Sequence, residues 1–155
     1  ICHGKINLIL SFWIKWFFLC LKNLKLFSYS SCSTCRRAIK WLKNNDIAFE
    51  LIDLLKSPPS KEMLISASEL YGDRKYLLNT SGVIYRSIGS DVIKKMTDKE
   101  LFEQLYMEPR LIKRPFLYKS SKCFLVGFKE EKWAQKLLWN SHEGWYWLKI
   151  SSLYK

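Results

Sequence analysis

Hydrophobic and polar positions change their period several times along the chain, and each change predicts a new element of secondary structure. Residues 24–29 alternate between apolar and polar side chains, as a half-buried strand does. Over residues 33–45, apolar side chains recur at helical spacing with basic side chains toward the other face, which predicts an amphipathic helix. Alternation returns over residues 47–53 and predicts a second strand. A strand–helix–strand unit of this kind predicts parallel pairing through a right-handed crossover.

The chain after residue 53 predicts a helical insertion, then two strands and a final helix. Ser57-Pro58-Pro59-Ser60 is expected to start a helix with proline in its first turn, and Gly72 is expected to end it. Thr97-Asp98-Lys99-Glu100 has the capping-box pattern and predicts a helix through Tyr106. Residues 116–118 and 123–126 are predicted to form a pair of strands, and residues 130–138 a last helix. The order is therefore βαβ, a helical insertion and ββα, which is an α/β fold with a mixed sheet of four strands.

Both ends of the chain differ in composition from the middle. Residues 6–21 are apolar but short for a membrane span, and Lys15 interrupts them. An extension foreign to the fold, an added packing or interfacial helix, and a membrane anchor are the alternatives for residues 1–22, and the anchor is the least favoured. Residues 139–155 are rich in Trp and Tyr without a clear period. We expect one domain over residues 23–138, an N-terminal extension of doubtful relevance to it, and an aromatic C-terminal tail.

Composition narrows the class of protein. The 155 residues are 48% hydrophobic and 26% charged, which suits one soluble domain with a packed core. The net charge of +12 favours anionic partners such as oxyanions, acidic proteins or nucleic acid, and a solvated basic surface without a partner is an equally supported alternative. Five cysteines with one close pair argue against a secreted disulfide framework and favour a reducing cytoplasm.

The close cysteine pair lies in the Cys32-Ser33-Thr34-Cys35 motif, where the first strand ends and the first helix begins. A helix N-terminus carries partial positive charge and unpaired N–H groups, and Arg36 and Arg37 add full charges, so both effects favour a thiolate. The spacing places both sulfurs within reach of a disulfide. Cys32, at the exposed helix start, is predicted to be the nucleophile, and Cys35, one turn further in, the thiol that resolves the mixed disulfide.

Two alternatives to redox chemistry remain for this pair. A structural zinc site needs four ligands, but the sequence has no second Cys-x-x-Cys, and His3 and His142 lie in the excluded ends. Two inert core cysteines are the other alternative, which the neighbouring arginines and the loop context disfavour. We therefore expect no metal. Cys123 is expected to be a buried strand residue, and Cys20 is a further redox thiol only if its segment belongs to the fold.

Four stretches together resemble the arsenate reductase ArsC/Spx family over roughly residues 23–138. They are Tyr29-Ser-Ser-Cys-Ser-Thr-Cys-Arg-Arg-Ala38, Leu77-Leu-Asn-Thr-Ser-Gly82, Leu111-Ile-Lys-Arg-Pro115 and Val126-Gly-Phe-Lys-Glu-Glu131. The resemblance implies a thioredoxin-like fold with a helical insertion, which agrees with the order of elements above. Some members of that family reduce arsenate with a nucleophilic cysteine, glutathione or glutaredoxin, and a set of arginines. The Spx branch instead uses Cys-x-x-Cys as a thiol–disulfide switch and binds RNA polymerase.

The family pattern matches some positions of this chain and departs at others. Cys32 matches the nucleophile of the family. Arg114 matches the arginine that precedes a proline, which in thioredoxin folds is cis and faces the sulfurs. A trans proline at a strand start is the alternative for Pro115. The arginine that arsenate reductases place after the leucine pair is Asn79 here, and their later arginine falls near Gly127. Because a bound oxyanion is best held by several fixed arginines, these departures argue against arsenate as the substrate.

Three further side chains are candidates to replace the absent arginines: Arg74, Arg86 and Lys129. Gly72 falls near the position where Spx proteins meet the polymerase, although a glycine there is more often a helix C-cap.

From these observations we expect a thiol–disulfide oxidoreductase that resembles arsenate reductases, with Cys32, Cys35 and Arg114 as catalytic residues. The residues expected to bind substrate or an oxyanion surround that pair: Ser33, Thr34, Arg36, Arg114 and Pro115. No bound cofactor is expected, but the resemblance implies a thiol donor such as glutathione, glutaredoxin or thioredoxin. We expect a cytoplasmic monomer without direct contact to nucleic acid or membrane. The alternative is an Spx-like redox-switched transcriptional regulator that binds RNA polymerase.

Overall fold

The computed structural model describes residues 24–120 and 123–138 of the chain. The strands of this part are β1 (Lys25–Ser28), β2 (Glu50–Asp53), β3 (Phe116–Ser120) and β4 (Cys123–Val126). Its helices are α1 (Ser33–Asn44), α2 (Lys61–Tyr71), α3 (Val83–Ile88), α4 (Ser90–Lys95), α5 (Asp98–Met107) and α6 (Glu130–Leu137), with 3₁₀ turns at Arg74–Leu77 and Pro109–Leu111. None of the described helices has the length and hydropathy that crossing a membrane requires. The expectations for residues 1–22 and 139–155 fall outside the described residues.

The strands form one mixed sheet in the order β2-β1-β3-β4. β1 and β2 are parallel, with Lys25 opposite Glu50 and Ser28 opposite Asp53. The pairs β1–β3 and β3–β4 are antiparallel. This topology confirms the βαβ start, the later ββα unit and the thioredoxin-like α/β fold class.

Successive residues of the strands point to opposite faces of the sheet and build two separate core clusters. Leu26 of β1 belongs to the cluster formed with α1 and α6, which includes Trp41 and Trp133. Phe27, the next residue, belongs to the cluster formed with the helical insertion, which includes Leu101 and Phe116. The sheet therefore separates a layer that contains α1 from a layer that contains the insertion.

A side-chain cap marks the start of the second helix, and a left-handed glycine marks its end. The hydroxyl oxygen of Ser60 accepts a hydrogen bond from the Met63 N–H at 3.3 Å, and α2 begins at the following residue. The predicted place of proline in the first helical turn is wrong, because Pro58 and Pro59 both precede this cap. Gly72 ends α2 with φ 69°, a left-handed conformation that glycine adopts without steric cost, as predicted.

The insertion contains two short helices that the periodicity did not reveal. α3 and α4 have six residues each, too few for a helical period to stand out from a loop, and they meet at Gly89 with φ 92°. The capping box at Thr97 is confirmed, and α5 follows it. The predicted second strand is too long at its start, since Ile47 is buried in the core ahead of β2.

Candidate active site

Cys32 caps the N-terminus of α1. Its backbone is extended, with φ −91° and ψ 113°, and its N–H donates to the Tyr29 carbonyl at 3.0 Å, which closes a tight turn after β1. The Cys32 Sγ accepts a hydrogen bond from the Cys35 N–H at 3.2 Å. The first turn of α1 contains no acidic residue. A thiolate on Cys32 therefore meets a backbone donor and the positive end of the helix, with no nearby carboxylate on that turn to oppose it.

Cys35 lies one turn further along α1 and is fully buried. Burial raises the pKa of the Cys35 thiol to about 11, and a hydrogen bond with the Cys32 side chain acts in the same direction. The Tyr29 backbone and the Ser28 side chain oppose this shift without cancelling it. The expectation that the motif favours a thiolate is therefore wrong for Cys35, because removing the sulfur from water outweighs the helix end. Both cysteines are free thiols, one accessible and one covered.

Ser33, Thr34 and Arg36 surround the start of α1, as their spacing predicts. Ser33 is exposed and Thr34 half-buried. Arg36 is exposed, and its Nη1 donates to the Ser30 carbonyl at 3.1 Å. This contact braces the turn that precedes Cys32. The role of these side chains in holding an oxyanion stays a prediction.

The chain returns to this turn at Arg114 and Pro115, just before β3. The Arg114–Pro115 peptide bond is cis, as predicted. Pro115 is buried, and its carbonyl accepts a hydrogen bond from the Gly127 N–H at 2.8 Å. The Arg114 guanidinium lies 4.9 Å from the centre of the Tyr29 ring, a cation–π contact. Since Tyr29 forms the turn with Cys32, this contact brings Arg114 to the region of Cys32.

The two positions at which the chain departs from the arginine pattern have other structural roles. Asn79 pairs with the segment before β3: its N–H donates to the Leu111 carbonyl at 2.8 Å and its Nδ2 to the Arg110 carbonyl at 3.4 Å. Gly127 has φ 72°, and a Cβ added there would lie 3.3 Å from the Lys113 side chain. A larger residue at this position would be strained by its backbone conformation.

The candidates for replacing those arginines differ in how far they are engaged elsewhere. Arg74 donates to the Asp98 carboxylate at 2.7 Å and to the Lys94 carbonyl at 3.1 Å, so its guanidinium is held within the insertion. Arg86 lies exposed on α3, also in the insertion, and Lys129 lies exposed at the N-cap of α6. Of the three, Lys129 is on the sheet face that carries α1.

Sequence reasoning missed the contribution of Tyr29 and of the ion pair beside it. Arg110 donates to Glu108 through two hydrogen bonds of 2.7 and 3.1 Å, and this contact lowers the pKa of the Glu108 carboxyl. The Tyr29 side chain interacts electrostatically with Arg110 as well as with Arg114. No spacing rule relates these residues, because the fold alone brings them together. Within residues 24–120 and 123–138, Arg114 has no carboxylate partner, whereas Arg110 does.

Among the described residues, no three side chains of His, Cys, Asp or Glu lie close enough to hold a metal ion.

Comparison with known protein families and curated proteins gives a consistent picture. Residues 27–136 match the model of the ArsC family. The chain is 36% identical to the uncharacterized protein YusI of Bacillus subtilis over 115 residues, which is 73% of this chain and 97% of that protein. It is 30% identical to the regulatory protein MgsR of the same organism, over 69% of this chain and 84% of that protein. It is 28% identical to the global transcriptional regulator Spx of Streptococcus agalactiae, over 70% of this chain and 79% of that protein.

Solved structures agree with this comparison. An ArsC family related protein from Bacteroides fragilis aligns with a TM-score of 0.65 and 34% identity, covering 72% of this chain and 95% of that one. A possible arsenate reductase from Streptococcus mutans aligns with the same TM-score and identity, covering 70% and 95%. The family resemblance inferred from the four sequence stretches is confirmed.

Proposed function

The chain belongs to the ArsC family, and from this premise we propose that it is a thiol–disulfide oxidoreductase with Cys32 as nucleophile and Cys35 as resolving thiol. One observation carries the proposal: the Cys32 Sγ sits at the positive end of α1 within 3.2 Å of the Cys35 N–H, while the Cys35 thiol is buried one turn behind it. This arrangement gives one accessible, stabilised sulfur and one protected sulfur, which are the two parts of a dithiol exchange centre.

The reaction proceeds in two exchanges. The Cys32 thiolate attacks one sulfur of a substrate disulfide, a Cys32–substrate disulfide forms, and the other substrate sulfur leaves as a thiolate. Cys35 then loses its proton and attacks the Cys32 Sγ, which forms the Cys32–Cys35 disulfide and releases the second substrate thiolate. Two electrons pass from the dithiol to the substrate, and two protons end on the released thiols. The high pKa of Cys35 keeps it protonated until the mixed disulfide forms beside it.

The other predicted residues have positioning roles in this proposal. Arg114, held over Tyr29, supplies a fixed positive charge beside the nucleophile. Arg36 braces the turn through the Ser30 carbonyl. In this proposal the buried cis Pro115 helps to orient a substrate segment, and Ser33 and Thr34, between the two cysteines along the chain, contact it.

The oxidised pair has to be reduced again by an external thiol. The proposal requires one thiol reductant, such as glutathione, glutaredoxin or thioredoxin, as membership of the ArsC family implies. Such a cycle suits the reducing cytoplasm, where a free dithiol persists.

Arsenate is not the substrate that the described residues favour. With Asn79 engaged in backbone pairing and Gly127 in a left-handed turn, two of the arginine positions of arsenate reductases carry no cation here. A tetrahedral oxyanion would find Arg114 but not the set of several fixed arginines that holds such an anion best.

The relatives named Spx and MgsR favour a second candidate function, a redox-switched regulator that binds RNA polymerase. In this alternative the Cys32–Cys35 disulfide forms in the same way but changes the affinity for the polymerase rather than turning over a substrate.

Turnover tests the first candidate. The reduced protein is mixed with a small neutral disulfide, 2-hydroxyethyl disulfide, with glutathione or thioredoxin as the recycling reductant. We expect many turnovers per protein and no acceleration by added arsenate. A rate no higher than that of an equal concentration of free dithiothreitol would overturn the proposal, and arsenate-driven oxidation of the pair would establish arsenate reduction instead.

Binding tests the second candidate. RNA polymerase affinity is measured for the reduced and oxidised forms of the chain. A regulator binds the two forms with different affinities, and equal binding or no binding contradicts that function.

A further inference from the structure

The exposed face of α1 is basic and carries no carboxylate. Four cations lie on it, all exposed: Arg36, Arg37, Lys40 and Lys43. The helix contains no acidic residue in any of its 12 positions. This basic face begins directly after the Cys32–Cys35 pair and continues to the last turn of the helix, where Lys43 lies.

None of the four cations is neutralised by a carboxylate within the described ranges 24–120 and 123–138. Arg36 donates to a backbone carbonyl, and the Arg37 guanidinium lies 5.9 Å from the centre of the Phe128 ring. Elsewhere in this part of the chain, Arg74 and Arg110 both bind carboxylates. The positive charge beside the thiols is therefore not held in ion pairs. Glu130 and Glu131, at the start of α6, offset part of it without pairing to it. The remaining charge adds to the positive end of the helix.

A groove of about 420 Å³ runs along this face, between α1 and the start of α6. Arg37, Lys40 and the edge of Trp41 form one side of it, and Phe128 and the first residues of α6 form the other. The groove also contains two carboxylates, Glu130 and Glu131, and the former accepts a hydrogen bond from the Trp41 Nε1 at 3.1 Å. Cations with aromatic surface between them can hold a carboxylate-bearing segment by charge and by contact.

We propose that the basic face of α1 docks an acidic segment of the protein that exchanges disulfides with Cys32. The inference rests on the proposed function and names the class of its partner: a protein with Asp or Glu residues near the exchanging cysteine. A polypeptide is favoured over nucleic acid because the cations are continuous with a thiol pair, and of these two macromolecules a protein alone brings both a sulfur and anionic charge to that site. Opposite charge raises the rate of encounter and orients the partner sulfur toward Cys32.

The test uses three peptides of equal length, each cyclised by one disulfide, with Glu, Gln or Lys at the flanking positions. Stopped-flow fluorescence measures their reduction by the reduced full chain at low and high ionic strength. We expect the Glu peptide to react about tenfold faster than the Gln peptide at low salt, and the Lys peptide to react slowest. The differences should nearly vanish at 1 M salt, where the Debye length falls to about 3 Å.

Charge reversal tests whether α1 is responsible. In a Lys40→Glu/Lys43→Glu variant, the ratio of the Glu-peptide rate to the Gln-peptide rate should fall to about one or below. The matched control is Lys95→Glu/Lys99→Glu, which changes the net charge equally on two exposed positions of the insertion, on the other face of the sheet. In the control variant, the ratio of the Glu-peptide rate to the Gln-peptide rate should stay at the value of the parent chain. A Lys40→Gln/Lys43→Gln variant gives an intermediate ratio and serves if the reversed helix folds poorly.

The outcomes distinguish a failure of the proposed function from a failure of the docking face. Failure to reduce any of the three peptides faster than free dithiothreitol contradicts the proposed function itself. Equal rates for the three peptides leave that function intact and overturn the docking face. An equal loss of the ratio in the control variant would assign the preference to net charge and also overturn it. Binding of a DNA duplex that is lost in the α1 variant, without any preference for the Glu peptide, would assign the face to nucleic acid instead.

Discussion

The N-termini of α1 and α5 are built from the same backbone donors but use them differently. At α5, the Thr97 Oγ1 accepts the Glu100 N–H at 3.3 Å, and the Glu100 carboxylate accepts the Thr97 N–H at 2.7 Å, so the cap is closed in both directions. At α1, the Cys32 Sγ accepts the Cys35 N–H at 3.2 Å, and no carboxylate occupies the first turn. The first arrangement uses the helix end for stability, and the second leaves its positive potential available to a reactive sulfur.

The largest expected difference between the two caps is catalytic. Cys32→Ser should abolish disulfide exchange, because a serine hydroxyl is not a nucleophile toward sulfur under these conditions. The fold should be retained, since serine is a good helix N-cap. In the Cys35→Ser variant, Cys32 should still attack the substrate disulfide, but the Cys32–substrate mixed disulfide should accumulate because no second thiol resolves it. Mass spectrometry of the intact protein after mixing with substrate distinguishes the two variants. A Cys35→Ser protein that turns over normally would remove Cys35 from the resolving role.

The second difference concerns the two thiols themselves. Burial, which Cys32→Ser leaves in place, is the largest cause of the raised pKa of Cys35, about 11 in the parent chain, so this thiol is largely protonated at pH 7. In Cys32→Ser, its alkylation by iodoacetamide should therefore be slow at pH 7 and should rise with pH toward 11. The Cys32 thiol in Cys35→Ser should react much faster at pH 7. Equal alkylation rates in the two variants would contradict the assignment of accessible and protected sulfurs.

The third difference is in stability. Thr97→Ala removes the acceptor of the closed cap and should cost about 1–2 kcal/mol in the free energy of unfolding, measured by urea titration. Disulfide exchange by the folded protein should be unaffected, because α5 packs on the opposite face of the sheet from α1. Thr80→Ala, at an exposed turn position, is the matched control and should be nearly neutral. A loss of disulfide exchange in the folded Thr97→Ala variant would show that the α5 cap contributes to activity as well as to stability.

The smallest effect is the pH dependence of the closed cap. Hydrogen bonds from Thr97 lower the pKa of the Glu100 carboxyl below its ordinary value. A depressed carboxyl pKa contributes stability above its unfolded value of about 4.3, and this contribution is lost as the pH falls through the lower folded value. The gap in unfolding free energy between the parent and Glu100→Gln should therefore narrow between about pH 5 and pH 3. A gap that stays constant over this range would show that Glu100 does not act through its charge.

Features that depend on neighbours along the chain could be predicted well. The position of the cysteine pair at a helix start, the cap at Thr97 and the end of α2 at Gly72 follow from local hydrogen bonding and backbone preference. The wrong placement of Pro58 and Pro59 in the first turn of α2 also has a local cause. The segment of residues 57–60 allows a helix that begins with proline and a helix capped by Ser60 after the prolines. The short helices α3 and α4 escaped prediction because six residues define no period.

The sequence by itself determined that two sulfurs share the first turn of a helix, since spacing and capping act within a few residues. Only the tertiary structure decided that one sulfur is buried with a raised pKa, because solvent exclusion depends on the sheet and helices packed around it. The same is true of Arg114, whose contact with Tyr29 joins the start of β3 to the end of β1 through antiparallel pairing of those strands. The basic residues of α1 can be identified from the sequence. Whether these residues form ion pairs depends on the folded surface, and within the described residues none of them pairs with a carboxylate.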